Sequence, residues 1–108
     1  MSKKAKPKDN VLILPPKLRL FGKDFTVDTF AQTDFTRDII GRVDCTVQAI
    51  HLREGLAVQQ ATETLLHECI HVISDYFSLD LEENQVQALG AGLYAVLHDN
   101  PELTKAFL

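Results

Sequence analysis

Tryptophan is absent from this 108-residue chain, cysteine occurs twice, and no apolar run approaches the roughly 20 residues a helix needs to cross a bilayer. Two cysteines are too few for the disulfide framework of a small secreted domain, so packing has to hold the core. The opening residues M-S-K-K-A-K-P-K carry lysines with no apolar stretch behind them, which is not the pattern of a secretory leader. These absences point to the cytosol and to no membrane partner. Positive charge is in the minority: 11 Lys and Arg against 15 Asp and Glu leave a net charge of -4, which argues against a nucleic-acid partner. No internal repeat or low-complexity tract is present. A chain of this length forms one domain and buries about 65% of its unfolded surface, enough for one core and one shallow cleft.

Residues 1–10 carry four lysines and a proline with no strong apolar residue beyond Met1, the composition of a solvated basic tail. Residues 11–108 are then the single folded domain. Val11–Leu14 is a short apolar run stopped by Pro15-Pro16, which suits an edge strand or an extended cover for the core. Alternation follows at Leu18, Leu20, Phe25 and Val27 around a Gly22-Lys23 turn, the signature of a β-hairpin. Phe30–Asp38 is polar and mixed and reads as a loop or short helix. Gly41–Leu52 reads as one β segment, with Val43, Cys45 and Val47 on one side and a bulge or short loop at Gln48-Ala49. His51 alternates with Ile50 and Leu52 and should face solvent.

A long helix is expected from about Ala57 to Phe77 and a second from about Leu81 to Leu97, broken at Ser78-Leu79-Asp80. The second carries Gly90 and Gly92, and glycine in a helix interior costs up to about 1 kcal/mol against alanine, so close contact with the first helix is the expected reason. Asn100-Pro101-Glu102 signals a last short helical turn.

The chemistry lies in T-L-L-H-E-C-I-H-V-I, Thr64 to Ile73. His67 and His71 are four residues apart, so on a helix both imidazoles reach one ion, and Glu68, about 100° round the helix, lies beside that ion where it can take a proton from water. The neighbours Leu65, Leu66, Cys69, Ile70, Val72 and Ile73 make the helix apolar almost all round, as an interior helix is. Cys69 is two residues from each histidine, faces away from them, and is expected in the core as a small apolar side chain.

A catalytic zinc takes three protein ligands and leaves a fourth position open. Two carboxylates follow at a distance that lets the helices fold back on each other, Glu82 and Glu83, and spacing alone does not decide between them. Asp80-Leu81-Glu82-Glu83 also has the form of a capping box, with Asp80 as cap and Glu83 reaching back. For a second donor to a developing oxyanion the candidates are Tyr94, Tyr76, His98, His51 and Arg42.

The histidine motif, the D-L-E-E segment and the helix V-Q-A-L-G-A-G-L-Y-A-V-L-H-D-N-P resemble small gluzincin-type metallopeptidase domains of phages and bacteria. These are akin to the metallopeptidase domain of the ImmA/IrrE family and more distantly to SprT-like proteins. The resemblance spans roughly Gly41 to Pro101 and is most specific at the histidines. It implies Zn2+ on His67, His71 and Glu83, Glu68 as general base, a peptide or protein substrate laid along an edge strand, and the bacterial cytosol as the compartment. The regions that shape subsites or read DNA in larger members have no counterpart in this sequence. The expected architecture is α+β: a small, mostly antiparallel sheet packed on two long helices, zincin-like, with zinc between the helices below the sheet edge.

Overall fold

The computed structural model describes residues 14–108, so the lysine-rich stretch 1–10 and all but the last residue of the apolar run Val11–Leu14 lie outside the described residues. Four strands, β1 (Lys17–Leu20), β2 (Lys23–Phe30), β3 (Gly41–Asp44) and β4 (Ala49–Arg53), precede three helices, α1 (Val58–Tyr76), α2 (Glu83–Asp99) and α3 (Pro101–Lys105). The class is α+β.

The hairpin of β1 and β2 turns at Phe21-Gly22, one residue earlier than the sequence suggested, with Leu20 opposite Lys23. Both turn residues have positive φ, 53° and 79°, as a type I′ turn requires. Phenylalanine is a strained choice there. Its ring stacks on Tyr76 with centroids 4.1 Å apart and meets Phe77 edge-on, which ties the hairpin tip to the end of α1 and offsets that strain.

The sheet order is β1-β2-β4-β3. The outer pairings are antiparallel, but the central β2–β4 pairing is parallel, so the sheet is mixed rather than mostly antiparallel. The cause is the stretch 41–53. The break in alternation at Gln48-Ala49 is a chain reversal, with Gln48 at φ 56°, not a bulge in one strand. β3 therefore goes out to the edge and β4 returns beside β2. Between Phe30, which ends β2, and β3 the chain forms turns without a regular helix.

The core is sheet against helix: Phe25, Ile50 and Leu52 pack on Val72 of α1, with Leu18, Leu20, Val43 and Leu65 around them. His51 alternates with Ile50 and Leu52 as expected but is half-buried rather than solvated. α1 is more one-sided than its composition implied. Ile70 and Val72 are buried, whereas Leu65, Leu66, Ile73 and Cys69 are only half-buried. Cys69 is thus at the margin of the core, and burial, then the neighbouring Glu68 charge, pushes its thiol up to about 11.

α2 packs on α1 through Val86, fully buried, and Gly90. A Cβ on Gly90 would come 3.5 Å from the His67 Cα, so this glycine sits in close contact with the histidine helix. Gly92 does not; nothing lies within 4 Å of where its Cβ would be. Among the described residues no helix is long and apolar enough to cross a membrane.

Candidate metal centre

α1 runs from Val58 to Tyr76 without proline or glycine, which keeps His67 and His71 in register one turn apart. Their ring centroids are 4.9 Å apart. The third group arrives from α2. His67 Nε2 lies 2.9 Å from Glu83 Oε2, and His71 Nε2 lies 3.0 Å from Glu83 Oε1. The donor atoms of His67, His71 and Glu83 all fall within 4.8 Å of one another.

This donor set fits a divalent ion. Bonds of about 2.0–2.1 Å in a tetrahedral site put ligand atoms roughly 3.3 Å apart, so drawing donor atoms that lie within 4.8 Å of one another onto one ion asks for a side-chain adjustment. Glu83 is able to supply it, because its side chain is 66% exposed and held by nothing else among the described residues.

Glu83 is free because the capping arrangement is displaced from the expected one. The helix starts two residues later than expected, Glu82 is the N-cap, and the Gln85 side chain accepts a hydrogen bond from the Glu82 backbone N–H at 2.8 Å. Asp80 is not a cap; it sits in a left-handed conformation at φ 55°, in the connection. Glu83 is then the first helical residue, turned toward α1, and Glu82 takes no part in the group. The connection is fixed from below by Ser74, 7% exposed, whose hydroxyl accepts from the Leu81 N–H at 3.0 Å and whose carbonyl accepts from the Leu79 N–H at 2.9 Å.

Glu68 is 5% exposed and has no hydrogen-bond or ion-pair partner among the described residues. Burial, and then the charge of Glu83, pushes its carboxyl from 4.5 up to about 7. Gly41, on the edge strand β3, makes room for it. A Cβ there would lie 2.5 Å from Thr64 Cγ2 and 3.2 Å from Glu68 Oε2, so only glycine lets β3 approach α1 at this level.

His67, Glu68 and Glu83 face a cleft of about 820 Å³ between α1, α2 and the turns ahead of β3. His71 faces a smaller hollow of about 350 Å³ beside Ser74 and Leu81. The four residues expected at the centre are therefore together. The five candidate oxyanion donors are not: none of Tyr76, Tyr94, His51, His98 or Arg42 lines the cleft. Tyr94 stacks on His98, and the Arg42 guanidinium lies over the Phe30 ring. Sequence reasoning missed Gly41 and Ser74, which left no local signal, and the cleft residues Gln60 and Gln87, which helical spacing from His67 and Glu83 does reveal. No protein-family model matches the chain, and comparisons with curated proteins and with solved structures likewise give no match.

Proposed function

We propose that the chain is a zinc-dependent peptide hydrolase. The observation that carries this reading is the convergence of His67, His71 and Glu83 from two helices, with Glu68 at the wall of an open cleft beside them and without a partner among the described residues. Two imidazoles and a carboxylate form a donor set that suits zinc, with a position left open. Such an ion supplies a Lewis acid that lowers the pKa of a coordinated water toward about 7 and polarises a carbonyl.

The chain's own residues supply the rest. His67 and His71 would hold the ion through their imidazoles, and Glu83 would close the set from α2. Glu68 accepts the proton of the attacking water and returns it to the departing amine, a role its place at the cleft wall beside His67 allows. Gly41 keeps the edge strand against this carboxylate. Among the described residues β3 is an edge strand, which offers backbone groups to an extended peptide.

Glu68→Gln is the deciding variant. Zinc content should persist, while cleavage of an unfolded protein substrate falls by about 10²-fold or more. His67→Ala should lose the metal by elemental analysis. A second reading, a regulatory module that holds a metal without catalysis, is favoured by the position of all five expected oxyanion donors outside the cleft lining. Full biological effect in Glu68→Gln would establish that reading and overturn the hydrolase.

A further inference from the structure

α2 is a 17-residue helix of which only Val86 and Gly90 are buried. It leans on α1 and on the short α3 and has no comparable contact with the sheet. That packing leaves apolar side chains uncovered: Leu89 is 47% exposed, Leu93 43% and Val96 46%. Spaced four and seven residues apart, the three share one face of the helix, and a contiguous apolar stripe of this kind marks an interaction surface. Gln87 and Ala91, which line the cleft, stand two residues before Leu89 and Leu93, so the stripe lies on roughly the opposite side of α2 from the cleft. Gly92 falls within the stripe, and nothing lies within 4 Å of where its Cβ would be. A mid-helix glycine costs up to about 1 kcal/mol against alanine. Here it leaves room for a second helix to approach the α2 backbone.

Charge complementarity decides what covers this face. Residues 57–100 carry seven Asp and Glu and no Lys or Arg. Two of these carboxylates, both exposed, close the stripe at its ends: Glu82, seven residues before Leu89 on the same face, and Asp99, one turn after Val96. They stand about 26 Å apart along the helix. Glu82 also caps the helix, and among the described residues Asp99 pairs only with His98, at 3.4 Å. A second copy of this chain does not suit the face. About a two-fold axis, antiparallel α2 helices set Glu82 against Asp99, and parallel ones set each carboxylate against its own counterpart. We propose that this face of α2 docks an amphipathic helix of a partner protein, with apolar residues at the same spacing and a lysine or arginine at each end of them. The partner's apolar residues cover Leu89, Leu93 and Val96, its backbone passes over Gly92, and its cations meet Glu82 and Asp99. None of these residues belongs to the metal group, so the inference stands apart from the hydrolase reading.

The test titrates three synthetic helical peptides of about 20 residues, long enough to span the two carboxylates, into the full chain by calorimetry. The first carries leucines at four- and seven-residue spacing with lysines at both ends. The second has glutamates in place of the lysines, and the third has the first one's composition with its leucines scattered round the helix. The first should bind about tenfold more tightly than either control. Leu89→Ser/Leu93→Ser should weaken it by about tenfold. Gly92→Lys puts a long cationic side chain into open space and removes a helix-weakening glycine, so it should block docking while thermal stability holds or rises. Glu82→Gln/Asp99→Asn, in which glutamine keeps a capping oxygen, should bring the preference for lysine over glutamate below about threefold. Equal binding of the lysine and glutamate peptides overturns the proposal, as does a lysine preference that survives Glu82→Gln/Asp99→Asn. Docking that survives in folded Gly92→Lys, or no binding of any peptide, overturns it equally. Sedimentation of the chain alone should show a monomer; self-association dispersed by Leu89→Ser/Leu93→Ser would give the face to a second copy and overturn the proposal as well.

Discussion

Replacing Glu68 by glutamine removes one ionisable group from a site where ionisation is costly, and the effect on stability can be worked out. The carboxyl rises from 4.5 to about 7 in the folded chain, first through burial and then through the charge of Glu83. At about 1.36 kcal/mol per pH unit that is roughly 3 kcal/mol, which water at the cleft wall reduces to about 2. The sign follows from proton counting. Between pH 4.5 and about 7 the folded chain holds more protons at this site than the unfolded chain, so the contribution of Glu68 to stability falls as pH rises through that window. Glutamine resembles the neutral acid and lacks this dependence. In EDTA, Glu68→Gln should therefore match the wild type near pH 5 and exceed it by about 2 kcal/mol at pH 8, a melting shift of roughly 8 °C or more. Denaturant unfolding at the two pH values measures the difference directly. Added zinc should shrink it, because a divalent charge beside the carboxylate favours the ionised form. A variant less stable than wild type at pH 8, or a difference that does not change with pH, would refute the buried and unpaired environment assigned to Glu68.

Three further substitutions test how the scaffold positions the site. Gly92→Ala adds a methyl group to open space in a helix interior and should raise stability by about 0.5–1 kcal/mol in thermal unfolding, with zinc affinity unchanged. Gly41→Ala places a Cβ 2.5 Å from Thr64 Cγ2 and should cost about 1–3 kcal/mol while lowering peptide cleavage more than zinc binding, seen by comparing turnover with metal content. Ser74→Ala leaves the Leu81 N–H without its acceptor, should destabilise by about 1–3 kcal/mol in urea, and should weaken zinc binding in a competitive chelator titration.

The histidine helix was legible because its signal is local. Two imidazoles four residues apart need only a helix to share one face, and Val58–Tyr76 has the composition of one. The β1–β2 hairpin was legible for the same reason, since alternation at Leu18, Leu20, Phe25 and Val27 sets its register. The parallel β2–β4 pairing was not. Local alternation says which face a residue takes but not which strand lies beside it, and β3 and β4 together read as one interrupted strand until the reversal at Gln48 separates them. The choice of Glu83 over Glu82 turned on helix phase. Capping preferences pointed to Asp80, whereas the helix begins at Glu83 with Glu82 as its cap, and that displacement releases the Glu83 carboxylate toward the histidines.

That displacement has a cause within the fold. Two non-glycine residues of the connection, Ser78 and Asp80, adopt positive φ, an arrangement that costs on the order of 1 kcal/mol each and persists only where surrounding contacts hold it. Here the contacts come from Ser74, buried one turn beyond His71, which accepts from Leu79 through its carbonyl and from Leu81 through its hydroxyl. The same helix that presents the imidazoles thus sets where the next helix begins and brings Glu83 within 3.0 Å of both. A connection of ordinary turn conformation, unanchored at Ser74, would leave the start of α2 free to rotate, and the third donor would lose its fixed distance to the pair. Metal affinity should therefore depend on a side chain that never approaches the ion, and a Ser74→Ala variant with wild-type zinc affinity would break that link.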